Sequence, residues 1–125
     1  MNKYILVIDD NQDFHNLIKI MTRKTSSIII DSAFSSEEAI EKIESKFYHF
    51  ILVDTGIAFN SSIDLLNYLK KNKKGKNCKI IAFSEMDKQK LAEMIREDFF
   101  DDFLKKPFSK HQLFKLFEVE PLFYL

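Results

Sequence analysis

A single cysteine, Cys78, stands in the 125-residue sequence, so no disulfide can close within the chain, which fits a reducing compartment. There is no excess of charge. The 19 basic residues balance 19 acidic ones, and no bulk field draws the chain to nucleic acid or to an anionic membrane. No apolar run approaches the length needed to span a bilayer. Met1-Asn2-Lys3-Tyr4 leads into a short run that meets Asp9 before it could serve as a signal segment. Tryptophan is absent, glycine and proline occur twice each, and phenylalanine occurs 13 times. The core is therefore aromatic, and no repeat, low-complexity segment or linker divides the chain. We expect one soluble, cytoplasmic domain with a single core.

What the sequence does contain is an alternation of two periods. Ile5-Leu6-Val7-Ile8 is an apolar run that ends at Asp9-Asp10. Helical spacing follows in Phe14, Leu17, Ile18 and Met21. Ser27 to Asp31 reads as a second strand, and Ser35 with Glu38 forms a capping box opening a helix with Ala39, Ile40 and Ile43 on its face. Phe50-Ile51-Leu52-Val53 is a strand apolar on both sides, and it stops abruptly at Asp54. A helix from Ser62 carries Ile63, Leu65, Leu66 and Leu69; a fourth strand, Lys79 to Phe83, ends at Ser84. A charged helix over about Asp87 to Glu97 precedes a short strand around Asp102 to Lys105, before Lys106-Pro107. Ser109 and Gln112 cap a last helix lined by Leu113, Leu116 and Phe117. Strands alternating with helices imply an α/β fold: a parallel sheet with right-handed crossovers and helices on both faces.

In such a sheet every strand points the same way, so Asp9, Asp10, Asp54, Ser84 and Lys106 fall on one edge, where open α/β folds place their ligands. If the first and third strands are neighbours, their backbones lie about 4.8 Å apart. Carboxylates crowded at that spacing either hold a proton or take a hard divalent cation, and oxygen donors at an open rim suit Mg²⁺. Lys106 adds a compact cation, and Ser84 a hydroxyl that both donates and accepts. These are the parts that hold a phosphoryl group, and a carboxylate can itself be the nucleophile. Asp54 is the expected reactive residue.

With these residues in place, the chain resembles the receiver domain of two-component response regulators over Lys3 to about Val119. The motifs are Leu6-Val7-Ile8-Asp9-Asp10, Ile51-Leu52-Val53-Asp54, Ile81-Ala82-Phe83-Ser84 and Asp101-Asp102-Phe103-Leu104-Lys105-Lys106-Pro107-Phe108. The resemblance implies a flavodoxin-like doubly wound sheet of strand order 2-1-3-4-5. It also implies that Asp54 accepts a phosphoryl group from a histidine kinase or phosphotransfer protein. Asp10, Asp54 and the Gly56 carbonyl would bind Mg²⁺, with Asp9 acting through a water. Lys106, followed by a cis proline bond, would pair with the phosphoryl group. Ser84 and Phe103 would be the switch pair, which presents a changed surface to a downstream protein.

Some positions depart from that family's pattern. Ile57-Ala58 replaces a methionine-proline pair, and Asn60-Ser61-Ser62 replaces a nearby glycine, so the loop after Asp54 is expected to be less rigid. Glu85 adds a charge where a small residue is usual, and Phe99-Phe100 replaces Gly-Ala. Gly56 and Met86 lack side chains that could orient an attacking water, so the phosphoryl group should be long-lived.

The remaining features read more plainly. Lys70 to Lys76 is a helix end whose cations suit the macrodipole, with no aromatic interleaving for nucleic acid. His15, His49 and His111 lack metal-ligand spacing and are expected at surface or boundary positions; His15 lies near the rim on the first helix, where a kinase could dock, but is read as structural. Cys78 should pack. Pro121 should stop the last helix and leave an apolar tail, residues 120–125, which with Phe100 and Phe114 could form a partner surface, a second copy of the chain included, or pack within the chain. The chain is read as a regulator acting by contact, or as a receiver excised from a larger protein. It is not read as an enzyme. A Mg²⁺-dependent aspartyl-phosphate phosphatase is the competing class, but Gly56 stands where such enzymes usually carry a second aspartate. A receiver-like domain that is never phosphorylated should have lost its acids. A flavin-binding relative would find Asp9-Asp10 repelling its phosphate.

Overall fold

The computed structural model describes residues 2–60, 65–72, 78–87, 89 and 100–119. The first strand, β1 (Lys3–Ile8), leads to α1 (Gln12–Thr22), β2 (Ile28–Ala33), α2 (Ser36–Ser45) and β3 (Phe50–Asp54). Two helices follow, α3 (Thr55–Asn60) and α4 (Leu65–Asn72), then β4 (Lys79–Ser84), β5 (Asp102–Lys105) and α5 (Lys110–Leu116). The strands form one five-stranded sheet in the order β2-β1-β3-β4-β5, and every pairing is parallel. The expected alternation and strand order are therefore observed. The charged helix expected between β4 and β5 falls mostly outside the described residues, as do the start of the helix expected at Ser62 and the apolar tail. No helix among the described residues is long and apolar enough to cross a membrane.

Each central strand is buried on both sides because its side chains alternate between two cores. Ile5, Val7, Phe50, Leu52, Ile81 and Phe83 pack with Phe14 and Ile18 of α1 and with Leu113 and Phe114 of α5. Leu6, Ile8, Ile51, Val53 and Ile80 pack on the other face with Ala39 and Ile43 of α2 and Leu65 and Leu69 of α4. Cys78 is buried in this second cluster, as expected of a packing residue.

The caps also form, with one change. Ser109 and Gln112 exchange both hydrogen bonds of a capping box. The Ser35 hydroxyl accepts from the Glu38 N–H, but the Glu38 carboxylate reaches back to the N–H of Phe34 instead of Ser35.

Packing decides several sequence expectations. Leu17 is 42% exposed, and the stripe that α1 buries runs through Phe14, His15, Ile18 and Thr22 instead. His15 is fully buried, not a surface or boundary residue. Phe114 has no exposed area, so it contributes nothing to a partner surface; Phe100 is half-buried against the second core. Finally, a helix follows Asp54 directly where a loop was expected. The proline that interrupts a helix is missing there, and Ile57-Ala58 lets helical geometry start at once.

Away from the carboxyl edge, β2 is tied to the segment before β3. Tyr48 donates to Asp31 Oδ2 at 2.7 Å, and Lys46 reaches the same oxygen at 2.9 Å. Burial works against the Asp31 charge, but these two hydrogen bonds outweigh it and hold its pKa below the usual value. Tyr48→Phe should cost about 1–2 kcal/mol in urea unfolding at neutral pH, since Lys46 still pairs the carboxylate. A depressed carboxyl stabilises the fold above its unfolded pKa and loses that contribution as pH falls through the folded one. The gap between wild type and Tyr48→Phe should therefore shrink on acidification below the normal aspartate range.

Candidate functional site

The register of the sheet delivers the strand ends to one rim. Ile8 pairs with Val53 and Asp54 with Phe83, so the residues after β1 lie beside the end of β3, with Ser84 next to them. The Lys106 N–H continues the β4–β5 pairing by donating to the Ser84 carbonyl at 2.8 Å. The Lys106–Pro107 peptide bond is cis.

Asp9, Asp10 and Asp54 converge. One carboxylate oxygen from each lies within 4.8 Å of the others. Asp9 is buried, Asp54 half-buried and Asp10 exposed, so the cluster opens to solvent on the Asp10 side. Its all-oxygen, triply acidic donor set fits a small hard cation such as Mg²⁺. Burial raises the Asp9 pKa, and the negative charge of Asp54 raises it further; the Asn11 N–H and Lys106 oppose both. Asp9 Oδ1 accepts from that N–H at 3.0 Å.

Lys106 supplies the counter-charge. Its Nζ stands 3.4 Å from Asp9 Oδ2 and 3.4 Å from Asp54 Oδ1. It also lies 4.4 Å from the centroid of Phe14 and 4.8 Å from that of Phe83. Those two rings stack at 4.3 Å, so the ammonium sits at the side of the pair, between an aromatic wall and the acids. Beside it opens a groove of about 470 Å³ lined by Phe14, Leu17, Glu85, Lys106, Pro107 and Phe108. Glu85 is exposed on this groove, which puts its charge at the rim as expected.

Ser84 is buried, and its hydroxyl oxygen accepts from the Met86 N–H at 3.0 Å. That bond leaves the hydroxyl hydrogen available. Phe103 is half-buried on the neighbouring strand, paired with Ala82. All the strand-end residues selected from the sequence thus border one region, with Asp9, Asp10, Asp54 and Lys106 in a single charged cluster.

Gly56 shows a role that its spacing did not reveal. A Cβ at this position would lie 2.8 Å from Asp54 Oδ2, closer than a carbon and an oxygen can approach. Its backbone does not require glycine; a larger residue there would make the Asp54 carboxylate shift. Its carbonyl belongs to the first turn of α3, where helical carbonyls point along the axis. Gly56→Ala should leave stability equal or higher, since alanine favours a helix by about 1 kcal/mol. If Asp54 takes a phosphoryl group as the sequence leads one to expect, that uptake should nevertheless slow on the order of tenfold as the carboxylate is pushed aside. Equal labelling rates for the two proteins would show that the carboxylate has room elsewhere.

His15 has the structural role read from the sequence, but at a depth the sequence did not indicate. Its Nε2 lies 2.6 Å from the Asp9 carbonyl oxygen. The available signal was its position one residue from Phe14 and three before Ile18, on the half of α1 that faces the sheet.

Comparison with known proteins agrees with this geometry. The family model described as "response regulator receiver domain" matches residues 5–118. Among solved structures, the receiver domain of the Francisella response regulator 1452 is 28% identical, with 94% of each chain covered and a TM-score of 0.77. A response regulator signal receiver domain from Bermanella marisrubri is 25% identical over 94% of this chain and 97% of that one, with a TM-score of 0.76. A curated relative, the "uncharacterized 14.6 kDa protein in sodA1 3'region" of Leptolyngbya boryana, is 23% identical over 90% of this chain and 85% of that protein.

Proposed function

Because the chain belongs to the response regulator receiver domain family, we propose that it is a phosphoacceptor switch that takes a phosphoryl group on Asp54 from a phosphohistidine. The observation that supports this most is Lys106 Nζ at 3.4 Å from both Asp9 and Asp54, beside a cluster of three carboxylates. The carboxylate oxygen of Asp54 attacks phosphorus as the P–N bond to the imidazole breaks. The departing nitrogen keeps the bonding pair, and the product is an acyl phosphate. Lys106 faces the oxygen from which that bond grows, so its charge meets the incoming phosphoryl oxygens. Asp9, Asp10 and Asp54 would hold Mg²⁺; the Gly56 carbonyl, directed along the axis of α3, is not part of that set. The bound ion supplies positive charge to the transferring group.

The dianionic group then offers an acceptor to the Ser84 hydroxyl. Ser84 turns its free hydroxyl hydrogen toward it, and Phe103 follows into the space beside it. The changed face around β5 and α5 is the signal read by a downstream protein. The test is incubation with acetyl phosphate or phosphoramidate and Mg²⁺, followed by intact mass. One added phosphoryl group supports the reading, and its loss with a chelator supports the metal. No adduct from either donor at saturating Mg²⁺ would overturn it. Catalytic release of phosphate from many phosphoesters would favour the phosphatase class instead.

A further inference from the structure

We propose that His15 is a positioning residue for the acidic pair. Its imidazole fixes the peptide that joins Asp9 to Asp10 and so sets how the two carboxylates face a divalent cation. The inference rests on the reading of those residues as cation ligands given above.

The ring of His15 has no exposed area, and its Nε2 lies 2.6 Å from the Asp9 carbonyl oxygen. Its other nitrogen, Nδ1, is buried and has no hydrogen-bond partner among the described residues. A carbonyl only accepts, so Nε2 carries the hydrogen of this bond. Phe34 packs on the ring at 4.2 Å between centroids and holds it in place.

What this hydrogen bond controls follows from peptide geometry. The Asp9 carbonyl and the Asp10 nitrogen share one rigid plane. Asp9 is fixed at its own N–H by the Ala33 carbonyl, 3.1 Å away, and at its side chain by the Asn11 N–H. Of these three bonds, His15 makes the one to the plane shared with Asp10. Anchoring that plane sets the direction in which the exposed Asp10 side chain leaves the backbone. An apolar side chain would fill the same volume without a buried, unpartnered nitrogen, which is unfavourable. The histidine is accounted for by its N–H.

The experiment compares His15→Leu, which keeps the site apolar, with His15→Gln, whose amide can place an N–H near the position of Nε2. Mn²⁺ binding is read by paramagnetic resonance of the free ion, and urea unfolding in chelator reports stability separately. His15→Leu should raise the Mn²⁺ dissociation constant about tenfold, the size of effect seen when a partner orienting a ligand is lost. The Mg²⁺ concentration for half-maximal labelling should rise by the same factor, with a smaller change in the rate at saturating Mg²⁺. His15→Gln should restore most of the affinity. Leucine binding Mn²⁺ as tightly as wild type, or glutamine as weakly as leucine, overturns the proposal. If His15→Leu does not fold, nitrogen NMR of wild type decides: an Nε2–H tautomer supports the proposal and an Nδ1–H tautomer overturns it. Wild type that binds no Mn²⁺ would instead overturn the proposed function beneath it.

Discussion

Asp54→Asn protein incubated with acetyl phosphate and Mg²⁺ should keep the mass of the unmodified chain, while wild type gains one phosphoryl group. The three acids are not equivalent candidates. Asp9 is buried, one of its oxygens already accepts from the Asn11 N–H, and its pKa is raised first by burial. Asp10 is exposed, and Lys106 makes its two ion pairs at this rim with Asp9 and Asp54. Asp54 combines a half-buried carboxylate, an oxygen facing Lys106, and the space kept open by Gly56. An amide at position 54 preserves shape and removes the nucleophile, so labelling should fall by roughly a thousandfold or more. An adduct on Asp54→Asn equal to that on wild type would transfer the acceptor role to another residue.

Asp9→Asn should move stability and metal response in opposite directions. The raised pKa of Asp9 means that its charge opposes folding in the metal-free protein. By linkage, a carboxyl raised in the folded state adds stability when protonated and loses that contribution as pH rises through the folded pKa. Above that pH, replacing the charge with an amide relieves both its burial and its repulsion by Asp54. The asparagine oxygen can still accept from the Asn11 N–H. In chelator at neutral pH the variant should gain on the order of 1 kcal/mol by urea unfolding. With Mg²⁺ the order reverses. Wild type held at a hundredfold excess over its dissociation constant gains about 2.7 kcal/mol, and Asp9→Asn should gain little of it. A less stable variant in chelator, or one with an undiminished Mg²⁺ effect, would show that Asp9 is not the strained member of the cluster.

The chain itself determined the alternation of strands and helices, because apolar residues repeat with periods that have only one packing solution each. It also determined which acids meet, since a parallel sheet brings all strand ends to one edge. Asp9, Asp10, Asp54, Ser84 and Lys106 were legible for that reason. Tertiary structure alone decided depth. Leu17 and His15 both lie near the apolar stripe of α1, yet Leu17 is 42% exposed and His15 wholly covered. The difference is made by Phe34 and the Asp9 carbonyl, contributed by other segments of the chain. Phe114 disappeared into the core in the same way, against strands far from it in sequence. The crowding at position 56 arises from the Asp54 carboxylate standing over it, a proximity that follows from one side-chain rotamer. Periodicity states which way a residue faces, whereas the neighbour that covers it is fixed only when distant segments pack.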